Sequence, residues 1–297
     1  MSAAVLNKLT LLVVSFNREL NRARSVNMKN RRMVSSLVSG AVALLILGGH
    51  AKQRKAEAVA VNAGPAGNEW IKVMADQEEH KTYQLAAGAH VDVSNISGPV
   101  SVEATDGWTA EVSIYRTAPN PDDLAYRKVS VEQTSSGLTI QQKNDGSEHS
   151  SINLLNRVVL KLPRQVSVSG KSISGDFNIS GVTGAVDLNG ISGSVDAKRL
   201  NGVLTVSGVS GNVRVAVARV NDAGLRVSGV SRNVYLGLAS DLNAELRVGN
   251  TTAGVSNKIQ DLALVSVGPS NYSARLGSGG PRIEVSGVTG FIVLQRI

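Results

Sequence analysis

Three aspartates, Asp176, Asp187 and Asp196, lie close together in the chain. Carboxylates gathered on one face would do acid–base work or hold calcium. Polysaccharide-cleaving β-helices use a tight group of Asp with Arg or Lys in this way. Here the spacing works against such a group, because nine residues carry the chain from one face of a two-sided winding to the other. Asp187 therefore faces away from Asp176 and Asp196, and the three read as solvated surface carboxylates. His80, His90 and His149 are scattered, with no i,i+4 pair and no carboxylate motif beside them, so they do not read as a metal site. Gly277-Ser278-Gly279-Gly280 resembles a phosphate cradle, but no Gly-Lys-Ser/Thr follows and no helix is expected. It reads as a corner. The chain has no cysteine, which removes thiol catalysis, disulfides and thiolate metal sites together. No cofactor is implied.

The residues best placed to bind a partner are Arg219, Asn221, Asp222, Asp241 and Asn243. They fall in two corners, 219–222 and 240–243, that are longer than the others. Loops on a rigid scaffold often carry function. Asn and Asp also make turns for purely local reasons, and both readings stand at this point.

What positions these residues is a repeat. Gly175, Gly184, Gly193, Gly202 and Gly211 follow one another at nine-residue intervals. An aliphatic residue stands two positions before each (Ile173, Val182, Ile191, Leu200, Val209). Apolar residues stand two and four after: Phe177 and Ile179, Val186 and Leu188, Val195 and Ala197, Leu204 and Val206, Val213 and Val215. Period-two alternation is a strand signal, and a fixed longer period means one small unit stacked many times. Beyond Gly211 the same phase falls at Ala223, Arg232, Ala244 and Ala253, with steps of twelve and nine in alternation. If one corner in two takes the extra residues, the winding is two-sided, with turns of 18 residues widening to 21. The aliphatic-Ser/Thr-Gly motif recurs in one sense, where an antiparallel meander would alternate its turns. The predicted fold is all-β: a single-stranded parallel β-helix, or β-solenoid, with two-sided coils of about 18–21 residues.

That register stacks outward side chains. One row reads Asn178, Asp196, Arg214, Tyr235; the other reads Asp187, Thr205, Arg226, Arg247. Asp196 beside Arg214 is an opposite-charge neighbour pair. Arg226 beside Arg247 is a like-charge contact that Glu245 would relieve. The calcium-binding nonapeptide repeat, which also has period nine, needs Gly-Gly-x-Gly-x-Asp in each unit, and this chain has only Ser-Gly-x-Φ-x-Φ.

Composition agrees. Aromatics are 3% and glycines number 30, which suits a narrow aliphatic core with many tight corners. The net charge of +8 is concentrated at the start: residues 1–51 hold seven Lys and Arg and one acid, leaving a net of +2 in 52–297. No basic stripe of the kind nucleic acid requires is present. Residues 28–51 have the layout of a signal peptide, or of an uncleaved signal anchor. Met28-Lys29-Asn30-Arg31-Arg32 is the positive part, the apolar run 33–49 follows, and Gly49-His50-Ala51 supplies small residues. Residues 1–27 read as a mis-assigned or disordered extension ahead of the true start, and 52–68 as a linker. The remainder, 69–297, is the β-solenoid domain, with irregular first coils or a cap at 69–163 and regular coils at 164–297. The expected location is outside the cytoplasm: periplasm, cell surface or medium.

The Ser-Gly phase, the step Leu160-Lys161-Leu162-Pro163 and the ending Gly279-Gly280-Pro281-Arg282-Ile283-Glu284-Val285-Ser286-Gly287-Val288-Thr289-Gly290 resemble a bacterial domain family of unknown function labelled "putative adhesin". The resemblance covers about residues 70–297. Ser174-Gly175-Asp176 keeps that family's corner motif, while Ser192-Gly193-Ser194 and Ser210-Gly211-Asn212 depart from it. It implies a β-solenoid exposed at the cell envelope, without catalytic residues, acting as a binding module for an envelope, glycan or protein partner. A carbohydrate-active β-helix enzyme and an envelope-stress scaffold without its own ligand are the competing functions. Membrane contact is expected only through an uncleaved N-terminal segment.

Overall fold

Alternating small and aliphatic residues build strands throughout. The computed structural model describes residues 55–56, 75–143, 154–260, 262–268 and 271–297, all within the unit Lys52–Ile297. The proposed extension and signal segments, the linker apart from Lys55–Ala56 (which pairs with Asp76 and Gln77 as a short strand), Trp70, His149 and the polar stretch 144–151 lie outside the described residues.

The strands, in chain order, begin with β1 (Lys55–Ala56), β2 (Ala75–Gln84), β3 (His90–Ser94), β4 (Val100–Thr105) and β5 (Thr109–Ala118). A short 3-10 turn, Pro121–Ala125, leads to β6 (Val129–Thr134), β7 (Gly137–Gln142) and β8 (Leu155–Pro163). The regular part runs β9 (Ser167–Ile173), β10 (Phe177–Ser180), β11 (Val186–Ile191), β12 (Val195–Lys198), β13 (Leu204–Val209), β14 (Val213–Val217), β15 (Leu225–Val230) and β16 (Val234–Leu238). It ends with β17 (Ala244–Thr251), β18 (Val255–Asn257), β19 (Ala263–Val267), β20 (Tyr272–Leu276), β21 (Arg282–Val288) and β22 (Ile292–Arg296). Among the described residues they form two mixed sheets of eleven strands each. Sheet A has the order β1-β2-β5-β8-β4-β10-β12-β14-β16-β22-β18, and sheet B the order β19-β20-β17-β21-β15-β13-β11-β9-β3-β7-β6. No helix among the described residues is long and apolar enough to cross a membrane.

Within the repeat the chain alternates between sheets, and each strand pairs in parallel with the one a full period on. Val186 faces Leu204, and Leu204 faces Leu225. Val195 faces Val213, and Val213 faces Val234. The offsets are the 18 and 21 residues read from the spacing. The inward residues of both sheets belong to one apolar cluster, dominated by Val, Leu and Ile, with Phe177 and Tyr272 the aromatics fully within it. Burying each such aliphatic side chain contributes roughly 1.5–3 kcal/mol.

The ends depart from the sequence-based order, and in the same way. At the C-terminal end β15 pairs not with β17 but with β21, and β16 pairs with β22. β17 and β18 then lie on the far side of that last pair. The final segment of the chain is thus inserted between two segments made before it. At the N-terminal end β3 lies between β7 and β9, and β4 between β8 and β10. The expected Arg226–Arg247 contact is therefore absent, because Glu284 is paired with both positions. Antiparallel strands flank the stack at its ends (β2, β5 and β6; β19 and β20), which the uniform parallel expectation missed.

Glycine at the nine-residue phase answers to close stacking. A Cβ on Gly202 would lie 1.9 Å from the carbonyl oxygen of Gly184, and one on Gly211 would lie 2.4 Å from that of Gly193. A second column has a different cause. Asn95, Ser172, Gly190, Gly208, Gly229, Gly287 and Asn250 all have φ between 53° and 69° and succeed one another where sheet B strands turn their last residue. Glycine and asparagine tolerate that left-handed conformation best.

A polar ladder joins successive corners. The side-chain oxygen of Asp176 accepts the Ser194 N–H (2.7 Å), Ser194 Oγ that of Asn212 (3.2 Å), Asn212 Oδ1 that of Asn233 (3.2 Å), and Asn233 Oδ1 that of Phe291 (2.9 Å). Asp, Ser and Asn at this position do the same job, so the departures from Ser-Gly-Asp leave the corner intact. At the N-terminal end a buried network closes the core. Asn156 Nδ2 donates to Gln142 Oε1 (2.6 Å), which also accepts the Ser97 N–H. The buried Arg116 guanidinium donates to Asn156 Oδ1, Gln77 Oε1 and the carbonyls of Leu124 and Tyr126.

Candidate binding edge

Each sheet A strand of the stack hands the chain to sheet B through a corner, and these corners line one edge. The segments 164–166, 181–185, 199–203, 218–224 and 239–243 occupy this position, and 106–108, which instead joins β4 to β5 within sheet A, leaves β4 beside the 164–166 corner. Inward residues of the flanking strands hold the corners, so their outward side chains are available for contact.

The five residues singled out from the sequence lie here. Arg219, Asp222 and Asp241 are exposed. Asn221 is half-buried, and its Oδ1 is enclosed without a hydrogen-bond partner. Asn243 is exposed but already occupied, its Oδ1 accepting the Ser278 N–H (2.8 Å) and hydroxyl (3.0 Å). The two long corners start side by side, because β14 pairs with β16. They then splay apart, because β21 separates β15 from β17. The turn ending at Pro281 fills the gap: the Pro281 carbonyl accepts the Glu245 N–H, and a Cβ on Gly224 would meet the Arg282 carbonyl. The Gly277–Gly280 motif is this corner. Arg296 reaches the same edge, donating to the Ala239 carbonyl at 2.7 Å.

Sequence reasoning passed over the other end of the edge. A concavity of about 200 Å³ is lined by Thr105, Asp106, Gly107, Trp108, Pro163, Arg164 and Gln165. Trp108 is 53% exposed although it is a large apolar side chain. Arg164 Nε donates to Asp106 Oδ1 at 2.7 Å. That contact holds the Asp106 carboxyl below its ordinary range and the Arg164 guanidinium above its own. The backbone beneath is tied at three carbonyls. The Trp108 carbonyl accepts the Leu85 N–H (2.8 Å), the Arg164 carbonyl accepts the Thr183 N–H and hydroxyl (2.8 and 2.9 Å), and the Gln165 carbonyl accepts the Gly88 N–H (3.2 Å). A turn has no periodicity to mark it; the available signal was a tryptophan beside Asp-Gly in a chain poor in aromatics.

The outward rows carry pairings of their own. On sheet A, Asp196 and Arg214 are neighbours as expected, but Asp196 takes Lys198 (3.0 Å) and Arg214 lies over the Tyr235 ring (5.1 Å). Arg157 lies over Tyr115 in the same manner (4.6 Å). His80 Nδ1 and Ser113 Oγ are 2.6 Å apart across β2 and β5. On sheet B, an open groove of about 350 Å³ runs over β17 and β20, lined by Glu245, Arg247, Ser273 and Arg275 among others. Asp187 lies on sheet B and Asp196 on sheet A, with Asp176 in the ladder. Among the described residues no three His, Asp or Glu gather as metal ligands would.

No protein-family model matches the chain, and no curated protein sequence does. Solved structures do. A "putative cell adhesion protein" from Clostridium sporogenes is 13% identical, with a TM-score of 0.44 over 75% of this chain and 100% of its own. A "putative adhesin" from Bacteroides fragilis is 16% identical, with a TM-score of 0.36 over 73% of this chain and 97% of its own. A "putative lipid binding protein" from Parabacteroides distasonis is 12% identical, with a TM-score of 0.29 over 73% and 96%.

Proposed function

We propose that this chain is a non-enzymatic binding module of the bacterial cell envelope or surface, wound as a two-sided parallel β-solenoid over 69–297. Residues 28–51 direct its export, 52–68 link the two parts, and 69–163 cap the regular coils. One observation carries the reading: the interior between the regular strands is dominated by Val, Leu and Ile, while the chemically varied side chains stand mostly on outward rows and along one edge of backbone-tied corners. Such a body offers a rigid display surface. Its partner is an envelope, glycan or protein surface, and nucleic acid is not among the candidates, since 52–297 is nearly neutral.

Purified protein applied to glycan arrays and to envelope polysaccharides, with released sugar measured in parallel, tests this. Specific retention without release supports the binding module. Release of sugar overturns it in favour of a carbohydrate-active enzyme. Neither retention nor release favours a scaffold without its own ligand. N-terminal sequencing of the secreted protein tests the export segment, with a first residue beyond 51 expected.

A further inference from the structure

Resting on that reading, we infer that the concavity formed by Trp108, Asp106, Arg164 and Gln165 is a subsite for one neutral pyranose ring of a glycan, stacked on the indole and hydrogen-bonded by the Asp106–Arg164 pair.

Sugar recognition needs two things on one small surface. The first is a flat aromatic face to cover the ring's C–H groups, and the second is planar polar groups at its rim to meet adjacent hydroxyls. Trp108 supplies the face, and its 53% exposure is unexplained by packing. The rim is Asp106, Arg164 and Gln165. Arg164 spends its Nε on Asp106 Oδ1. Asp106 Oδ2 and the Arg164 terminal nitrogens make no hydrogen bond among the described residues, which leaves an acceptor and donors side by side. Vicinal hydroxyls fit such a pair, each donating to a carboxylate oxygen and accepting from a guanidinium N–H. The concavity, about 200 Å³, is of the order of one sugar ring.

Charge selects the class. The carboxylate and the guanidinium cancel, so the site favours a neutral sugar over a uronic acid or sulfated one. The same pair argues against a lipid surface, because an Asp side chain 89% exposed would have to be buried next to the indole at a desolvation cost. The larger groove over β17 and β20 has volume but presents no exposed aromatic, Tyr272 being buried. Phe291 is equally exposed (54%), but it lines none of these concavities, which makes it the control. Tethered backbone on both sides of the turn means that the site exists before ligand arrives.

The test uses the full chain with cellotetraose, chitotetraose and mannotetraose as probes, read by saturation-transfer NMR and by tryptophan fluorescence in a Trp70→Phe background. At least one tetrasaccharide is expected to bind, with Trp108→Ala weakening it about tenfold or more, as loss of a stacking face should. Arg164→Met and Asp106→Ala are expected to weaken it severalfold, and Phe291→Ala to leave it unchanged. All four side chains are exposed, so circular dichroism is expected to confirm folded variants. Binding within twofold of wild type in Trp108→Ala overturns the subsite while leaving the glycan-binding reading intact. Failure of all three probes with the wild type overturns the subsite too, and array retention of the same protein then decides the broader reading independently.

Discussion

Arg226 and Glu284 are hydrogen-bonded at 3.0 Å although 58 positions separate them, and the same carboxylate is paired in register with Arg247 on its other side. A carboxylate sits between two arginines where unbroken coiling would have set the arginines against each other. Opposite-charge neighbours of this exposed kind contribute little singly, about 0.2–1 kcal/mol. Reversing the sign is less benign. Glu284→Arg places three arginines in one row and is expected to lower stability by about 1–2 kcal/mol at low salt. Glu284→Gln is expected to cost less, and added salt to narrow the difference. Urea melts at two ionic strengths measure this.

Removing residues 281–297 deletes β21 and β22, which occupy an inner position in both sheets. Deleting a terminal coil of a simple stack trims it and leaves the remainder cooperative. Here the deletion parts β15 from β17 and β16 from β18, so broad loss of cooperativity is expected. Calorimetry on the truncated chain should show a weakened or absent transition, and a sharp one close to wild type contradicts the inserted arrangement.

The two glycine columns predict different substitution responses. At Gly202 a Cβ would fall 1.9 Å from a backbone oxygen, so Gly202→Ala must push neighbouring corners apart, at a cost of about 2–4 kcal/mol. At Gly208 the nearest atom is at an ordinary 3.4 Å and the obstacle is φ of +63°. Gly208→Asn should therefore cost less than Gly208→Val, since Asn95 and Asn250 already adopt this conformation in the same column. Thermal unfolding of the three variants decides it.

Arg116 is 4% exposed and ties β5 to the turn Pro121–Ala125 through the Leu124 and Tyr126 carbonyls. Arg116→Met keeps volume and removes the donors, leaving carbonyls and two amide side chains short of partners. The expected cost is about 2–4 kcal/mol. Hydrogen exchange should accelerate first in 119–127, ahead of the regular strands.

Asp106 carries a testable pH signature. Its folded pKa lies below the ordinary 3.8, chiefly through the hydrogen bond from Arg164. A lowered carboxyl pKa contributes stability above the unfolded value, and that contribution is lost as pH falls through the folded value. The pair should thus persist at pH 4 and dissolve only below the ordinary carboxylate range. Carbon chemical shifts of Asp106 followed by titration should return to the ordinary value in Arg164→Met.

The all-β class, the 18- and 21-residue offsets, and the facing of Asp187 away from Asp196 were legible because a stacked repeat writes its register into the spacing of Val, Ile and Leu. The insertion of β21 and β22 was not. Pro281 to Leu294 repeats the template as faithfully as any other unit, and periodicity records what a segment is like without recording which neighbour it joins. The second glycine column is written in Ser207-Gly208-Val209, Ser228-Gly229-Val230 and Ser286-Gly287-Val288, but it breaks off at Ser172 and Asn250, so its period is weaker than the nine-residue one. The outward rows misled at Arg214, which lies over Tyr235 rather than meeting Asp196. A ladder position fixes neighbours and leaves long side chains free to choose among them. Trp108 stayed hidden because a three-residue turn has no period.

The position of β21 and β22 also sets a clock. Synthesis delivers β15 and β17 first, yet the slot between them is closed only by β21, which is made after both. Until residue 296 emerges, four strands keep edges that the finished protein never shows. The nascent protein therefore waits, open, for β21 and β22, and whatever escorts it during that interval has those edges to recognise.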